Sequence, residues 1–230
     1  MVRGFFIALM LAPGICGAFA PAFAQERIGR AAVVRNDVTQ IAPRVSKINV
    51  GDEIFRDETV RTAADSDAKF VLRDDTNLSL GPGSTLKLDR AVFSGETRAG
   101  DIAVKLTSGA FRFVTGTSTK ESYKIVTPLA TIGVRGTTLD FLLQRFRNIV
   151  VLQDGQARVS AGGQFVDLLY PGDSVIITAT GGKIQLTKVS SPPWTFASAC
   201  AGNAALCSRT TFAEAVPEID VDFASALCGK

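Results

Sequence analysis

Tyr123-Lys124-Ile125-Val126-Thr127-Pro128-Leu129-Ala130-Thr131-Ile132-Gly133-Val134-Arg135-Gly136-Thr137-Thr138-Leu139 reads as strand, turn and strand. Tyr123 and Ile125 alternate with polar or outward positions, Thr127-Pro128 interrupts the run, and Gly136 stands where a strand bends or bulges. Leu139, Phe141 and Leu143 then share one face. Ile149-Val150-Val151-Leu152 is a continuous apolar run, which suits a strand buried on both faces. Asp154-Gly155 reads as a hairpin turn, because glycine accepts the positive φ such turns need. Ala157 and Val159 follow, then a Gly162-Gly163 turn. Val175 to Thr178 and Ile184 to Leu186 close the series around Gly181-Gly182.

The same style extends upstream. Ala31-Ala32-Val33-Val34 is a first strand, a short segment runs from Arg44 to Ile48, and Gly51-Asp52 heads a turn before Thr59-Val60-Arg61-Thr62. Ala68, Phe70 and Leu72 alternate with Asp67, Lys69, Val71 and Arg73, and Leu78 and Leu80 continue after an Asp74-Asp75 turn. That alternation predicts a half-buried sheet with its second face in water. Gly81-Pro82-Gly83 is a hard turn; with no helix behind it, it is no phosphate cradle. Leu86 and Leu88, Ile102, Val104 and Leu106, and Phe111 and Phe113 supply further inward faces. No segment up to about Val189 has a helical period. Short strands with turn signals about every ten residues predict an all-β chain, a β-sandwich or barrel.

The chain has 230 residues, 46% of them apolar, with a formal net charge of +3. No basic run or face stands out, so no nucleic-acid partner is expected. Histidine is absent, which removes Ser-His-Asp and Cys-His nucleophile systems and every histidine metal site.

Residues 1–24 read as a secretory signal peptide. Arg3 supplies the positive end, Phe5-Phe6-Ile7-Ala8-Leu9-Met10-Leu11-Ala12 the apolar stretch, and Ala22-Phe23-Ala24 the cleavage site. The expected product starts at Gln25, does not span a membrane, and is periplasmic or secreted. Ser191-Pro192-Pro193 breaks the strand pattern and sets off a tail, residues 190–230, from a β-domain at 25–189. The tail holds Trp194, an Ala-rich stretch suited to one or two short helices, and Cys200, Cys207 and Cys228. An oxidising compartment favours one disulfide. Cys200–Cys207 closes the shortest loop, while Cys207–Cys228 and Cys200–Cys228 are equally legal.

From about Ala32 to Asp173 the ordered motifs resemble the FecR domain, the periplasmic domain of ferric-citrate-type regulators. Val50-Gly51-Asp52, Val60-Arg61-Thr62 and Ala68-Lys69-Phe70-Val71-Leu72 resemble its opening strands. Leu78-Ser79-Leu80-Gly81-Pro82-Gly83-Ser84 and the segment from Leu106 to Phe113 resemble its next turn and hairpin. Thr127-Pro128 with Val134-Arg135-Gly136-Thr137 resembles its most recognisable signature. Val150-Val151-Leu152, Asp154-Gly155, Ala157-Arg158-Val159 and Tyr170-Pro171-Gly172-Asp173 resemble the strand pair and Pro-Gly turn that follow. The family usually has Asp-Gly where this chain has Asp74-Asp75. The resemblance implies a β-sandwich with jelly-roll-like character and a non-enzymatic role as an interaction or sensing module of the cell envelope. An envelope protein is the expected partner, a glycan the alternative, and no cofactor is expected. Family regulators carry a cytoplasmic anti-sigma segment and a membrane helix ahead of this domain. A cleavable signal peptide takes that place here, so direct control of a sigma factor is not expected.

Among individual side chains, Arg135 is the first candidate for a partner contact, although a structural arginine beside a strand bend is the simpler role. Thr127, Pro128, Val134, Gly136 and Thr137 read as structural members of the signature. Asp65-Ser66-Asp67 and Asp74-Asp75 offer oxygens for calcium but match no calcium loop. Glu96, Asp101, Asp140 and Asp173 are the carboxylates from which a glycosidase pair would have to come. Trp194 either stacks on a sugar or closes the core.

Overall fold

The computed structural model describes residues 26–90, 102–117 and 123–215. They form an almost entirely β structure. The strands are β1 (Arg27–Arg35), β2 (Val38–Ala42), β3 (Ser46–Lys47), β4 (Glu53–Phe55), β5 (Thr59–Thr62), β6 (Asp67–Leu72), β7 (Asn77–Leu80) and β8 (Thr85–Arg90). There follow β9 (Ile102–Val114), β10 (Tyr123–Val126), β11 (Thr131–Gln144), β12 (Arg147–Ala161), β13 (Gln164–Leu168), β14 (Ser174–Thr180) and β15 (Lys183–Val189). A short helix α1 (Ala197–Gly202) and a 3-10 turn (Ala204–Leu206) end the described chain.

Among the described residues all fifteen strands join one hydrogen-bonded sheet, yet they form two layers around one core. Three long strands make this possible. The first half of β9 pairs with β8 and β10, and its second half with β7 and β11. The first half of β11 pairs with β10, and its second half with β9. β12 pairs first with β14 and then with β13. One layer therefore runs β4-β1-β6-β7-β9-β11-β12-β14-β15, the other β3-β2-β5-β8-β9-β10-β11-β12-β13. Each shared strand contains a glycine with positive φ: Gly109 at 104°, Gly136 at 58° and Gly155 at 83°. Strands that change layers through such bends are how a single sheet encloses its own core. Phe70, Leu80, Phe111, Phe113 and Phe141 from one layer meet Leu86, Leu88, Val104, Leu106, Ile132 and Val159 from the other.

The run Ile149 to Leu152 is buried on both faces, as its composition predicts. Two expectations change. Asp154-Gly155 is not a hairpin turn: β12 passes straight through it, and Gly155 is a bend opposite Gly136. A β-carbon on Gly155 would overlap the Gly136 carbonyl oxygen, so glycine here permits a close approach of two backbones rather than a chain reversal.

The second change concerns β6 and β7, which are buried at every position instead of showing one face to water. Their outward side chains lie in a cross-strand row, Lys69–Ser79–Arg112–Asp140, and the segment after β15 lies over it. Lys69 Nζ donates to the carbonyls of Ala205 and Ser208 and to Thr210 Oγ1. Ser79 Oγ donates to the Leu206 carbonyl at 2.6 Å, and Asn77 Nδ2 to that of Thr210 at 2.8 Å. Phe196, wholly buried, donates from its backbone N–H to Asp140 Oδ2 at 2.9 Å. At the 74–75 turn, Asp75 takes the left-handed φ of 65° that glycine would otherwise supply, and its carboxylate accepts from Phe212 N–H.

Candidate functional site

The signature segment builds a turn and a corner. Thr127 Oγ1 accepts from Ala130 N–H at 3.0 Å and closes the turn that Pro128 occupies, with the Asn148 side-chain amide 3.1 Å away. Val134 joins the core. At the corner the β11–β12 register slips between Arg135 and Thr138, which leaves backbone groups without ladder partners. Thr137 supplies them: its hydroxyl accepts from Arg135 N–H at 3.0 Å and donates to the Gln156 carbonyl at 2.8 Å. Its own N–H donates to Thr115 Oγ1 at 2.8 Å.

This corner aims Arg135 outward. The Arg135 side chain is exposed, and its guanidinium has no partner among the described residues. It lines an open groove of about 470 Å³ where β11, β12 and β13 meet. Gly133 forms part of the floor, and Gln156, Arg158, Asp167 and Leu169 line the sides. Arg158 grips Asp167 with two hydrogen bonds, 2.7 and 2.9 Å, and its guanidinium stands 4.6 Å from the centre of the Phe165 ring. The pairing raises the Arg158 pKa and lowers that of Asp167.

β13 hydrogen-bonds to β12 on one side, and no strand pairs with its other side among the described residues. An open strand edge is a template for a further chain. Beside it Phe165, Leu169 and Tyr170 are exposed at 62%, 46% and 71%. Of these three only Tyr170 figures in the sequence motifs, as the first residue of the Tyr170-Pro171-Gly172-Asp173 turn. The signal is in the sequence: Phe165 is the second residue after the Gly162-Gly163 turn, and Leu169-Tyr170 carries apolar character into the Pro171-Gly172 turn, where solvent faces it.

The remaining candidates have local partners. Asp140 is fully buried and bound by Arg112 Nε and Nη2 at 2.7 and 2.8 Å and by Gln153 Nε2 at 2.9 Å. Burial pushes the Asp173 carboxyl up, but Lys188 at 2.8 Å and the N–H groups of Leu169 and Tyr170 outweigh it and hold the group below the usual range. Glu96 and Asp101 lie outside the described residues. Asp67 pairs with Arg35 and Asn203, and Asp74 accepts from Tyr123 Oη and Thr76. Among the described residues no cluster of histidine, cysteine and carboxylate side chains is arranged to hold a metal. Trp194 is half-buried and meets Phe196 edge-on. Cys200 and Cys207 form a disulfide with a Cα separation of 5.6 Å; Cys228 and residues 1–24, where a signal peptide is expected, lie outside the described residues.

Residues 58–165 match the family model described as FecR protein. No curated protein matches the chain. Two crystal structures of a protein from Parabacteroides distasonis described as an anti-sigma factor are similar to it at 18% and 19% identity, with TM-scores of 0.46 and 0.45. Each alignment covers 56% of this chain and 58% of the other, so the chain spans less than two thirds of those structures. No helix among the described residues is long and apolar enough to cross a membrane.

Proposed function

We propose that this chain, which carries a FecR domain at residues 58–165, is a non-enzymatic signal-sensing module that docks a protein partner in the bacterial envelope. The observation that carries the reading is the coincidence of three features on one surface. Among the described residues they are a strand edge of β13 that no strand covers, exposed apolar side chains at 165, 169 and 170, and a guanidinium at Arg135 with no partner. An edge strand supplies main-chain donors and acceptors to an extended segment, apolar side chains supply the area, and a free cation selects a carboxylate. The partner is therefore a protein offering an extended segment with an acidic side chain.

Export to the periplasm or beyond is part of the proposal. Its supports are the Arg3 n-region, the short apolar stretch and the Ala22-Phe23-Ala24 motif, together with a disulfide, which persists in oxidising compartments. The test is in-cell crosslinking of the tagged protein with identification of what is captured. One defined envelope protein, lost in Arg135→Glu, supports the proposal. Capture unchanged by Arg135→Glu counts against this surface.

A further inference from the structure

Arg112 joins a buried carboxylate to the disulfide. Asp140 takes its Nε and Nη2 edge. The remaining nitrogen, Nη1, lies 2.9 Å from Cys207 Sγ and 3.8 Å from Cys200 Sγ. The guanidinium cannot swing away easily: Asp140 has no exposed surface and is itself bound by Gln153 and by Phe196 N–H. The Phe196 ring lies 5.8 Å from the guanidinium carbon. A cavity of about 250 Å³ opens beside Cys207, lined by Arg112, Val114, Thr138, Asp154 and Arg209. Two arginines and one carboxylate thus face the sulfur from β9, β12 and the C-terminal segment, with Asp140 of β11 behind Arg112. Arg209 is fixed by donation from Nη2 to the Thr115 carbonyl at 2.8 Å.

A disulfide that only staples a loop needs no cation aimed at one of its sulfurs. A cation at hydrogen-bond distance stabilises the thiolate that appears when the bond opens, and it makes that sulfur the better leaving group. We propose that Cys200–Cys207 is a reversible thiol–disulfide site whose reductant is a dithiol, with Arg112 holding the Cys207 thiolate. A thiolate of the dithiol attacks Cys200 Sγ. The S–S bond breaks, and its electron pair leaves on Cys207, which accepts from Arg112 Nη1–H. The second thiol of the reductant loses its proton and attacks the mixed disulfide. The reductant becomes a cyclic disulfide, and Cys200 leaves and takes up a proton. Two electrons pass to the protein. The Cys200 thiol then has the Phe196 carbonyl 3.4 Å away as an acceptor. Lys69, Asn77 and Ser79 hold the segment independently of the disulfide, so Cys207 stays beside Arg112 after reduction.

The test is alkylation of the dithiothreitol-reduced full chain with iodoacetamide across pH 5 to 10, read at each cysteine by peptide mass spectrometry. Cys207 is expected to reach half its maximal rate at least about one pH unit below Cys200 and below the ordinary thiol value near 8.5. In Arg112→Gln the two profiles should converge. Arg112→Gln leaves Asp140 unpaired and can fail to fold, so the wild-type comparison of Cys207 with Cys200 is decisive by itself. Coincident wild-type profiles overturn the proposal. So does a disulfide that dithiothreitol opens only after the protein is unfolded.

Discussion

Lys69 Nζ donates to the backbone carbonyl of Ser208 at 2.5 Å, a contact between residues 139 positions apart. It is one end of the row Lys69–Ser79–Arg112–Asp140, every member of which holds the C-terminal segment. Lys69 has no exposed surface. Burial lowers its pKa to about 8, against a smaller opposing pull from Glu214.

A pH dependence follows from that shift. Below about pH 8 the amine is charged in both folded and unfolded chains, and its burial is a cost. Between about 8 and 10.5 the folded chain sheds the proton first, the unfolded chain binds more protons, and this group's contribution to stability rises with pH. Urea unfolding of wild type and Lys69→Met at pH 7.0 and roughly pH 9.5 should show the difference moving toward wild type by on the order of 2 kcal/mol. A constant difference, or one that moves the other way, would refute the assignment.

Removing the disulfide tests how much the covalent link adds to those hydrogen bonds. The paired change Cys200→Ser with Cys207→Ser opens a loop with a sequence separation of 7 and should cost about 2 kcal/mol by urea unfolding. Near-UV circular dichroism should keep the aromatic signal, because Phe196 and Lys69 still anchor the segment.

Asp140→Asn should cost more, about 3 kcal/mol, although it deletes no volume. The change leaves the Arg112 guanidinium without its countercharge in a buried setting. A guanidinium-chloride melt showing a loss under about 1 kcal/mol would mean that the pair is not the buried anchor described.

The two glycines of the β11–β12 corner should respond differently. Gly136 has a φ of 58° with open space where a β-carbon would point, so Gly136→Ala meets only the left-handed strain, about 1 kcal/mol. Gly155→Ala meets that strain and the Gly136 carbonyl, and should cost about 3 kcal/mol or more. Chemical denaturation of the two variants side by side checks the order; equal losses would contradict the corner geometry.

The inward faces were legible because each was local: Phe70 and Leu72, Phe111 and Phe113, and Leu139, Phe141 and Leu143 declare themselves by a period of two. The role of Asp154-Gly155 was not, since a positive-φ glycine serves hairpin turns and strand bends alike. Only the partner strand, with Gly136 opposite, distinguishes them. Lys69 falls on the water-facing side of the β6 alternation, and the cover over it and over Ser79, Arg112 and Asp140 is not legible there, because alternation reports which side a residue is on, not what covers that side. The cover begins more than fifty residues after Asp140, in a segment whose own pattern does not name its destination. At the groove, Arg135 was legible from the bend beside it. Phe165, Leu169 and Tyr170 were not, because an exposed apolar residue on or just after an edge strand looks like a core residue until the sheet order is known.

The most direct measurement of the docking account places a photo-crosslinking amino acid at Phe165, beside the open edge of β13, and at Val45, at the opposite end of the same layer and 79% exposed. After illumination of intact cells, position 165 should yield one discrete adduct containing an envelope protein, diminished by Arg135→Glu, and position 45 should yield none. Equal adducts at both positions, or none at 165 from folded protein, would contradict the account.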